Sequence, residues 1–156
     1  MVRYVAEENP ELEVECYPGI RVDKMKHEIE QRERGEPKKI ILHVWTNDLR
    51  RRSVDYIMAD LYDLVSSTKK RYLTADIIIS GIIRRRDINW RKVGRANKEF
   101  EWVAEQLGTQ YVDGNSWLDD RDFGQDGVYL NRRGTVAMGA LFARVAAMTR
   151  EDRSQQ

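Results

Sequence analysis

A run of five residues, Ile40-Ile41-Leu42-His43-Val44, is apolar almost without interruption. Such a run is typical of a strand in a parallel sheet that is covered on both faces, so we expect this strand to be central. A second run, Ile77-Ile78-Ile79-Ser80-Gly81-Ile82-Ile83, predicts another buried strand. Alternating apolar and acidic side chains predict a strand at residues 12–16, and residues 111–113 predict a short last strand.

Helical patterns separate these strands along the chain. Apolar residues recur every three or four positions in three segments, and an Ala-rich segment closes the sequence. Residues 114–125 carry no such pattern and are expected to form a loop. The stripes are Val22, Met25 and Ile29; Val54, Ile57, Leu61, Leu64 and Val65, capped by Ser53; Val93, Ala96, Phe100, Val103 and Leu107; and residues 135–148.

Regular alternation of strands and helices predicts the fold class. It is typical of an α/β architecture with three layers, a doubly wound, flavodoxin-like parallel sheet with helices on both faces, because right-handed crossovers place helices there. A length of 156 residues suits one domain, which we assign to residues 1–150, followed by a polar tail at residues 151–156.

The composition excludes several classes of protein. With 34% charged and 41% hydrophobic residues and only 3 prolines, the chain is not collagen-like, membrane-spanning or disordered. Its 27 basic and 26 acidic side chains leave a net charge of +1, which provides no global attraction to nucleic acid or to an anionic membrane. A single cysteine, Cys16, and no apolar stretch near Met1 predict a cytoplasmic or otherwise intracellular protein.

Polar residues follow the first apolar run where ligands bind in doubly wound folds, beyond the carboxyl ends of the strands. Thr46, Asn47 and Asp48 stand there, and their side chains could bind a small ligand. The alternative interpretation is a capping turn, in which Asn47 or Asp48 accepts hydrogen bonds from backbone N–H groups.

A second polar segment precedes the last helix. Asp126 lies three residues before Tyr129, so its carboxylate could orient a base at that position. The alternative is that Asp126-Gly127 forms a turn and Asn131 caps the helix.

Together these segments resemble the SGNH/GDSL hydrolases. His43-Val44-Trp45-Thr46-Asn47-Asp48-Leu49 is similar to the third conserved block of that family, usually Gly-x-Asn-Asp, and the nine residues from Asp126 to Gly134 are similar to the fifth block, usually Asp-x-x-His. Together with Pro18-Gly19, the sequences of these two segments resemble the esterase-like domains of animal retrotransposon-derived proteins.

The resemblance implies roles for individual residues. Gly19 and Asn47 match the contributors to the oxyanion hole, and Asp126 matches the aspartate of the Ser-His-Asp triad. Tyr129 stands where the family has its histidine, and a phenol with an ordinary pKa of about 10 cannot accept a serine proton near neutrality. Trp45 stands where the family has glycine, so its indole should occupy the pocket or displace the loop.

The family's nucleophile motif, Gly-Asp-Ser, does not occur in the sequence, and Met1-Val2-Arg3-Tyr4-Val5 resembles the helix that follows it. We therefore expect the first central strand of the sheet to be missing. Its neighbours would then expose unpaired backbone groups, which predicts a homo-oligomer that joins these edges.

These departures predict a degenerate, catalytically inactive domain that serves as a binding or assembly module, with a pocket formed by Trp45, Thr46, Asn47, Asp48 and Tyr129. Its ligand would be a small acyl group or none. The alternative is a weak serine esterase of SGNH type that acts on small acyl esters.

Clustered arginines suggest a further partner. Arg50, Arg84, Arg86 and Arg132 could converge as a basic rim that contacts the phosphates of nucleic acid, with Trp90 and Tyr129 stacking on bases. The alternative is a solvated surface balanced by nearby aspartates.

We predict no metal or cofactor, because neither His27 nor His43 has a second ligand at suitable spacing, and we predict no membrane partner.

Overall fold

The computed structural model describes residues 20–33, 35–43, 46–148 and 152, and for Thr46 and Asn47 it describes the backbone only. The described residues fall into two compact units, one within Tyr17–Asn115 and one within Ser116–Gln156. The single domain expected for residues 1–150 stays a prediction, and the strand expected at residues 12–16 lies outside the described residues.

A parallel sheet forms the centre of the unit within Tyr17–Asn115. Its strands are β1 (Lys39–Leu42), β2 (Asp76–Ser80) and β3 (Gln110–Val112), and they lie side by side in that order. Ile40 pairs with Ile77, and Ile79 pairs with Tyr111, both in parallel register. The predicted α/β class with a parallel sheet is confirmed.

Four helices accompany this sheet. They are α1 (Val22–Gln31), α2 (Thr46–Arg51), α3 (Val54–Arg71) and α4 (Trp90–Leu107). Because the three strands follow one another in chain order, right-handed crossovers place α3 and α4 on the same face of the sheet. Helix α3 packs against both α1 and α4.

The core of this unit consists of the predicted apolar stripes. The completely buried side chains include Val22, Ile57, Leu61, Leu64, Ile79 and Phe100. In β1 only Leu42 is buried, whereas Lys39, Ile40 and Ile41 are half-buried. The helices owe their stability mainly to this packed stripe, because isolated helices of this length are marginal in water.

Strand β2 is shorter than predicted. Residues 77–83 are apolar apart from Ser80, but the strand ends at that serine. Gly81, Ile82 and Ile83 remain buried, which explains the continuous apolar pattern. The backbone of Ile82 is bonded by the side chain of Asn97 instead of a neighbouring strand, with N–H donating at 2.7 Å and C=O accepting at 3.0 Å.

The helix boundaries also differ from the prediction. Helix α2 was not predicted, because its six residues are too few to show a period. Ser53 occupies the N-cap position of α3, but its side chain makes no capping hydrogen bond. Helix α4 begins at Trp90, where the Asn89 side chain accepts a hydrogen bond from the Arg91 N–H at 2.8 Å.

The unit within Ser116–Gln156 contains a 3₁₀ turn, Asp120–Asp122, and helix α5 (Arg132–Ala147), which begins three residues earlier than predicted. Its buried apolar side chains are Leu118, Met138 and Leu141. In the part of the chain that the structure describes, none of the helices combines the length and the apolar character needed to cross a bilayer.

Candidate functional site

The carboxyl end of β1 leads into the first predicted site segment. Trp45 and Gly19 lie outside the described residues, and Thr46 and Asn47 begin helix α2. Asp48, expected in the pocket, is buried in the structure. Its Oδ2 accepts a hydrogen bond from the backbone N–H of Val22 at 2.9 Å.

This bond gives Asp48 a structural role. Val22 is the first residue of α1, whose N-cap residue Arg21 makes no side-chain capping bond. A helix N-terminus leaves N–H groups without partners inside the helix and carries a partial positive charge, so a carboxylate there supplies both an acceptor and a favourable charge. Asp48 therefore caps a helix that is distant in sequence, a variant of the capping interpretation considered above.

A serine and a histidine meet at the carboxyl edge of the sheet. His43 follows β1 and Ser80 ends β2, and Nδ1 of His43 lies 2.9 Å from Oγ of Ser80. Burial lowers the pKa of His43 from 6.5 to about 4, so the imidazole is neutral near pH 7. Ser80 is completely buried, so a substrate carbonyl cannot reach its hydroxyl. The pair stabilises the sheet edge and is not placed to act as a nucleophile and base.

The second predicted site segment is a hairpin. Phe123 and Leu130 form an antiparallel bridge, and the N–H of Gly124 donates to the carbonyl of Tyr129 at 2.9 Å. At its tip, Gly127 has φ of 68°, a left-handed conformation that glycine adopts readily. The N–H of Gly127 donates to the carbonyl of Gly124 at 2.9 Å, which closes the turn.

Asp126 and Tyr129 both lie on this hairpin. The exposed Asp126 carboxylate accepts a hydrogen bond from the backbone N–H of Val128 at 2.9 Å, in the manner of an Asx turn. The side chain of Tyr129 is 66% exposed. This geometry corresponds to the turn that was the alternative interpretation, and it stabilises the hairpin that carries both site positions.

Asn131 connects the hairpin to helix α5. Its Oδ1 accepts from the N–H of Gly134 at 3.0 Å, which makes it the N-cap, as the alternative interpretation proposed. Its Nδ2 donates to the carbonyls of Arg121 at 2.7 Å and Phe123 at 3.0 Å. Every polar group of this amide therefore holds backbone in place.

Close packing in the same unit explains a glycine of the motif. Gly134 lies against the backbone of Asp122, and a Cβ at position 134 would overlap the Asp122 carbonyl. The buried Asp122 accepts from the N–H of Asp119 at 2.8 Å, and its carboxylate lies 3.3 Å from Nε of Arg133. The glycine is required because the turn and the helix touch there.

Three of the predicted rim arginines lie within Tyr17–Asn115. The side chain of Arg50 is 61% exposed, and its Nη1 lies 3.8 Å from Oδ2 of Asp87. Arg84 donates its backbone N–H to the Asn115 side chain at 2.8 Å, and Arg86 is exposed. Arg132 is exposed at the start of α5 in the other unit, so its convergence with the first three stays a prediction.

The sequence did not identify three side chains that shape this edge. Asn97 and Asn115 hold the segment after β2, since Asn115 also donates to the Ile82 carbonyl at 2.8 Å. Arg85 is buried and donates twice to Asp87, at 2.8 and 2.7 Å. For Asn97 a signal existed, because a polar residue stands beside the buried Ala96 and Phe100 on α4. For Asn115 and Arg85 the sequence pattern contains no comparable signal.

Metal binding would need several ligands together. Among the residues whose placement is described, no group of three or more His, Cys, Asp or Glu side chains could hold an ion.

Solved structures that are similar to this chain include two esterases. Est24, a carbohydrate acetylesterase from Sinorhizobium meliloti, matches with a TM-score of 0.63 and 14% identity, over 85% of this chain and 72% of that protein. The inhibitor-bound aryl esterase of M. smegmatis matches with a TM-score of 0.62 and 13% identity, over 86% of this chain and 71% of that protein.

No protein-family model matches the sequence, and a search of curated proteins finds no match. The similarity to the solved structures is a similarity of fold. The resemblance to retrotransposon-associated domains rests on short sequence motifs and stays a prediction. Sheet, helix order and structural neighbours agree with one another and with the resemblance of the two motif segments. The chain shares the α/β fold of these two esterase structures.

Proposed function

We propose that this chain is an SGNH-hydrolase-like domain that does not hydrolyse esters and instead acts as a binding or assembly module. The observation that carries the proposal is Tyr129, which by the resemblance to the SGNH/GDSL hydrolases stands where that family has its triad histidine, on the hairpin of Asp126. A phenol has an ordinary pKa of about 10, so near neutrality it holds its proton and cannot deprotonate a serine.

The two histidines of the chain support the proposal. His27 is exposed on the charged helix α1, and His43 is bonded to the buried Ser80. Neither belongs to the segment that contains Asp126. The low pKa of His43, about 4, also makes it a weak base, because burial disfavours the imidazolium that a general base must form.

The contacts of Asp126 support it further. In a catalytic triad the carboxylate orients an imidazole through its ring N–H and stabilises the imidazolium. Asp126 instead accepts a backbone N–H two residues ahead. Losing the base forfeits nearly all triad catalysis, on the order of a million-fold in turnover, so a binding role is the better explanation for the retained fold.

An esterase assay tests the proposal directly. We expect the purified 156-residue chain to hydrolyse p-nitrophenyl acetate no faster than its Asn47→Ala and Asp126→Ala variants, at pH values from 6 to 9. Saturable turnover that both substitutions abolish would overturn the proposal.

Covalent labelling provides a second, independent measurement. A fluorophosphonate reacts with activated serines, so we expect the intact mass of the chain to stay unchanged after incubation. A single adduct on a serine, lost in Asp126→Ala, would contradict the proposal even if turnover were too slow to detect. Circular dichroism of each variant checks that it is folded.

A further inference from the structure

Basic side chains are concentrated in two segments of the unit within Tyr17–Asn115. Residues 48–60 and 84–95 together contain nine Arg or Lys and four Asp, whereas the whole chain has a net charge of only +1. The rest of the chain is therefore net negative. The electrostatic potential is therefore positive around these two segments, although the net charge of the whole chain is close to zero.

The structure brings the two segments together. The Nζ of Lys92, on α4, donates to the carbonyl of Leu49 at 2.6 Å and to that of Arg52 at 3.1 Å, at the end of α2. Arg50 reaches toward Asp87 at 3.8 Å. The start of α4 thus lies against the end of α2.

Three of the four aspartates in these segments have close cationic partners, and the fourth, Asp48, is buried and accepts a hydrogen bond from the backbone N–H of Val22. Asp87 makes a double hydrogen bond to the buried Arg85, which holds the pKa of its carboxyl below the usual value. Asp60 binds Arg52, and Asp55 lies 3.6 Å from Arg95. The nine basic side chains of the two segments outnumber these four aspartates, so the local potential is positive.

An exposed tryptophan stands among these charges. The side chain of Trp90 is 74% exposed, and the guanidinium of Arg91 lies over its ring, 5.2 Å from the ring centroid. A large exposed indole beside several cations fits a ligand that offers both phosphates and flat rings. We define the Arg–Trp surface as Arg50, Arg86, Trp90 and Arg91.

We propose that the Arg–Trp surface binds single-stranded nucleic acid, with the arginines contacting phosphates and Trp90 stacking on a base. The inference goes beyond the function proposed above, and it stands whether or not the chain hydrolyses esters. Because it requires no group that reads base edges or the 2′-hydroxyl, RNA and DNA should bind alike and with little sequence preference.

Helix α4 argues against an anionic membrane as the partner. Membrane-surface helices insert a continuous apolar face into the lipid. The apolar face of α4, which includes Val93, Ala96, Phe100 and Val103, is buried in the core of the protein. Only Trp90 projects from its first turn as an exposed apolar group, which suits a base better than a bilayer.

Fluorescence anisotropy with 5′-labelled U20 RNA and dT20 DNA tests the proposal on the full chain. We expect binding at low salt for both oligonucleotides, weakening as salt rises by about 0.7 in log affinity per log salt for each phosphate contact. A triple variant, Arg50→Gln/Arg86→Gln/Arg91→Gln, should reduce that slope by about 2.

Substitution at Trp90 separates stacking from charge. Trp90→Ala should weaken binding about tenfold and leave the salt slope unchanged, since a neutral side chain is removed. Trp102→Ala is the matched control, because Trp102 is 55% exposed on the same helix, about 18 Å further along its axis. It should leave the affinity unchanged.

Three results would overturn the proposal. The first is absence of binding to both oligonucleotides at 20 mM salt, and the second is equal affinity in all variants. The third is binding to vesicles of phosphatidylserine and phosphatidylcholine without binding to the oligonucleotides, which would identify a membrane as the partner. None of these readouts depends on ester hydrolysis, so failure here leaves the function proposed above intact.

Discussion

Nδ1 of His43 lies 2.9 Å from Oγ of Ser80, so the ends of two neighbouring parallel strands are joined by a side-chain hydrogen bond. The histidine follows β1 and the serine closes β2. A neutral imidazole is required there, because a charged ring would lose its hydration in the surrounding core.

The pH dependence of stability follows from this pair. The pKa of His43 is lowered from 6.5 to about 4, so between these values the unfolded chain binds a proton that the folded chain does not. This contribution to the free energy of unfolding is therefore complete above pH 6.5 and is lost as the pH falls toward 4. Urea unfolding should show a loss of up to about 2 kcal/mol from this group between pH 7 and pH 5.

His43→Gln should remove this contribution to the difference in the free energy of unfolding between pH 7 and pH 5. His27→Gln is the control, because His27 is exposed on α1, and it should leave the difference in place. An unchanged pH difference in His43→Gln would contradict the assignment.

Replacement of Gly134 should be destructive. Gly134→Ala places a Cβ against the Asp122 carbonyl, and backbone cannot move aside as a flexible side chain can. We expect a loss of about 1–3 kcal/mol in the free energy of unfolding, measured by urea titration.

Gly94→Ala, on helix α4, should have the opposite effect on stability. A Cβ at Gly94 meets no atom within 4 Å, so the better helix propensity of alanine should stabilise by up to about 1 kcal/mol. Equal effects of the two substitutions would show that the contact between Gly134 and Asp122 is not tight.

The amide of Asn131 should matter more than an ordinary helix cap. Asn131→Ala removes the bond to the Gly134 N–H and leaves two backbone carbonyls without their donor. We expect a loss of about 2–3 kcal/mol, measured as the midpoint shift in chemical unfolding. The matched control, Asn89→Ala, removes the cap of α4, for which one bond is described, and should cost about 1 kcal/mol.

Asp48 provides a test of the capping role at the first motif. Asp48→Ala leaves the buried N–H of Val22 without an acceptor, which should cost about 1–3 kcal/mol. Asp48→Asn keeps an acceptor oxygen and should cost less. Asp63→Ala, an exposed position on α3, should change stability by no more than about 0.5 kcal/mol. Equal losses in Asp48→Ala and Asp48→Asn would indicate that the negative charge is essential.

The apolar patterns predicted β1, β2 and the long helices because burial on one side imposes a period on the sequence. They missed the end of β2, since Ile82 and Ile83 stay buried while their backbone leaves the ladder. Helix α2 was missed because it is shorter than two full turns. At the end of β2 the deciding contact comes from Asn97, which is 15 positions away in sequence.

At the candidate site, the hairpin turn at Asp126 and the cap at Asn131 were both among the interpretations that the sequence allowed. Both features are formed by hydrogen bonds between residues that are close in sequence, so a short stretch of sequence is enough to predict them. The bond from Asp48 to Val22 spans 26 positions and depends on the packing of α1, which no local pattern encodes.

The amide groups of Asn97 and Asn115 also bear on how this protein can change over time. They form hydrogen bonds with the backbone after β2, at Ile82 and at the N–H of Arg84. These bonds do not depend on which side chains the segment carries. A loop anchored by its backbone tolerates exchange of its outward residues. Mutation can therefore alter the charge displayed at position 86 while the scaffold beneath stays the same.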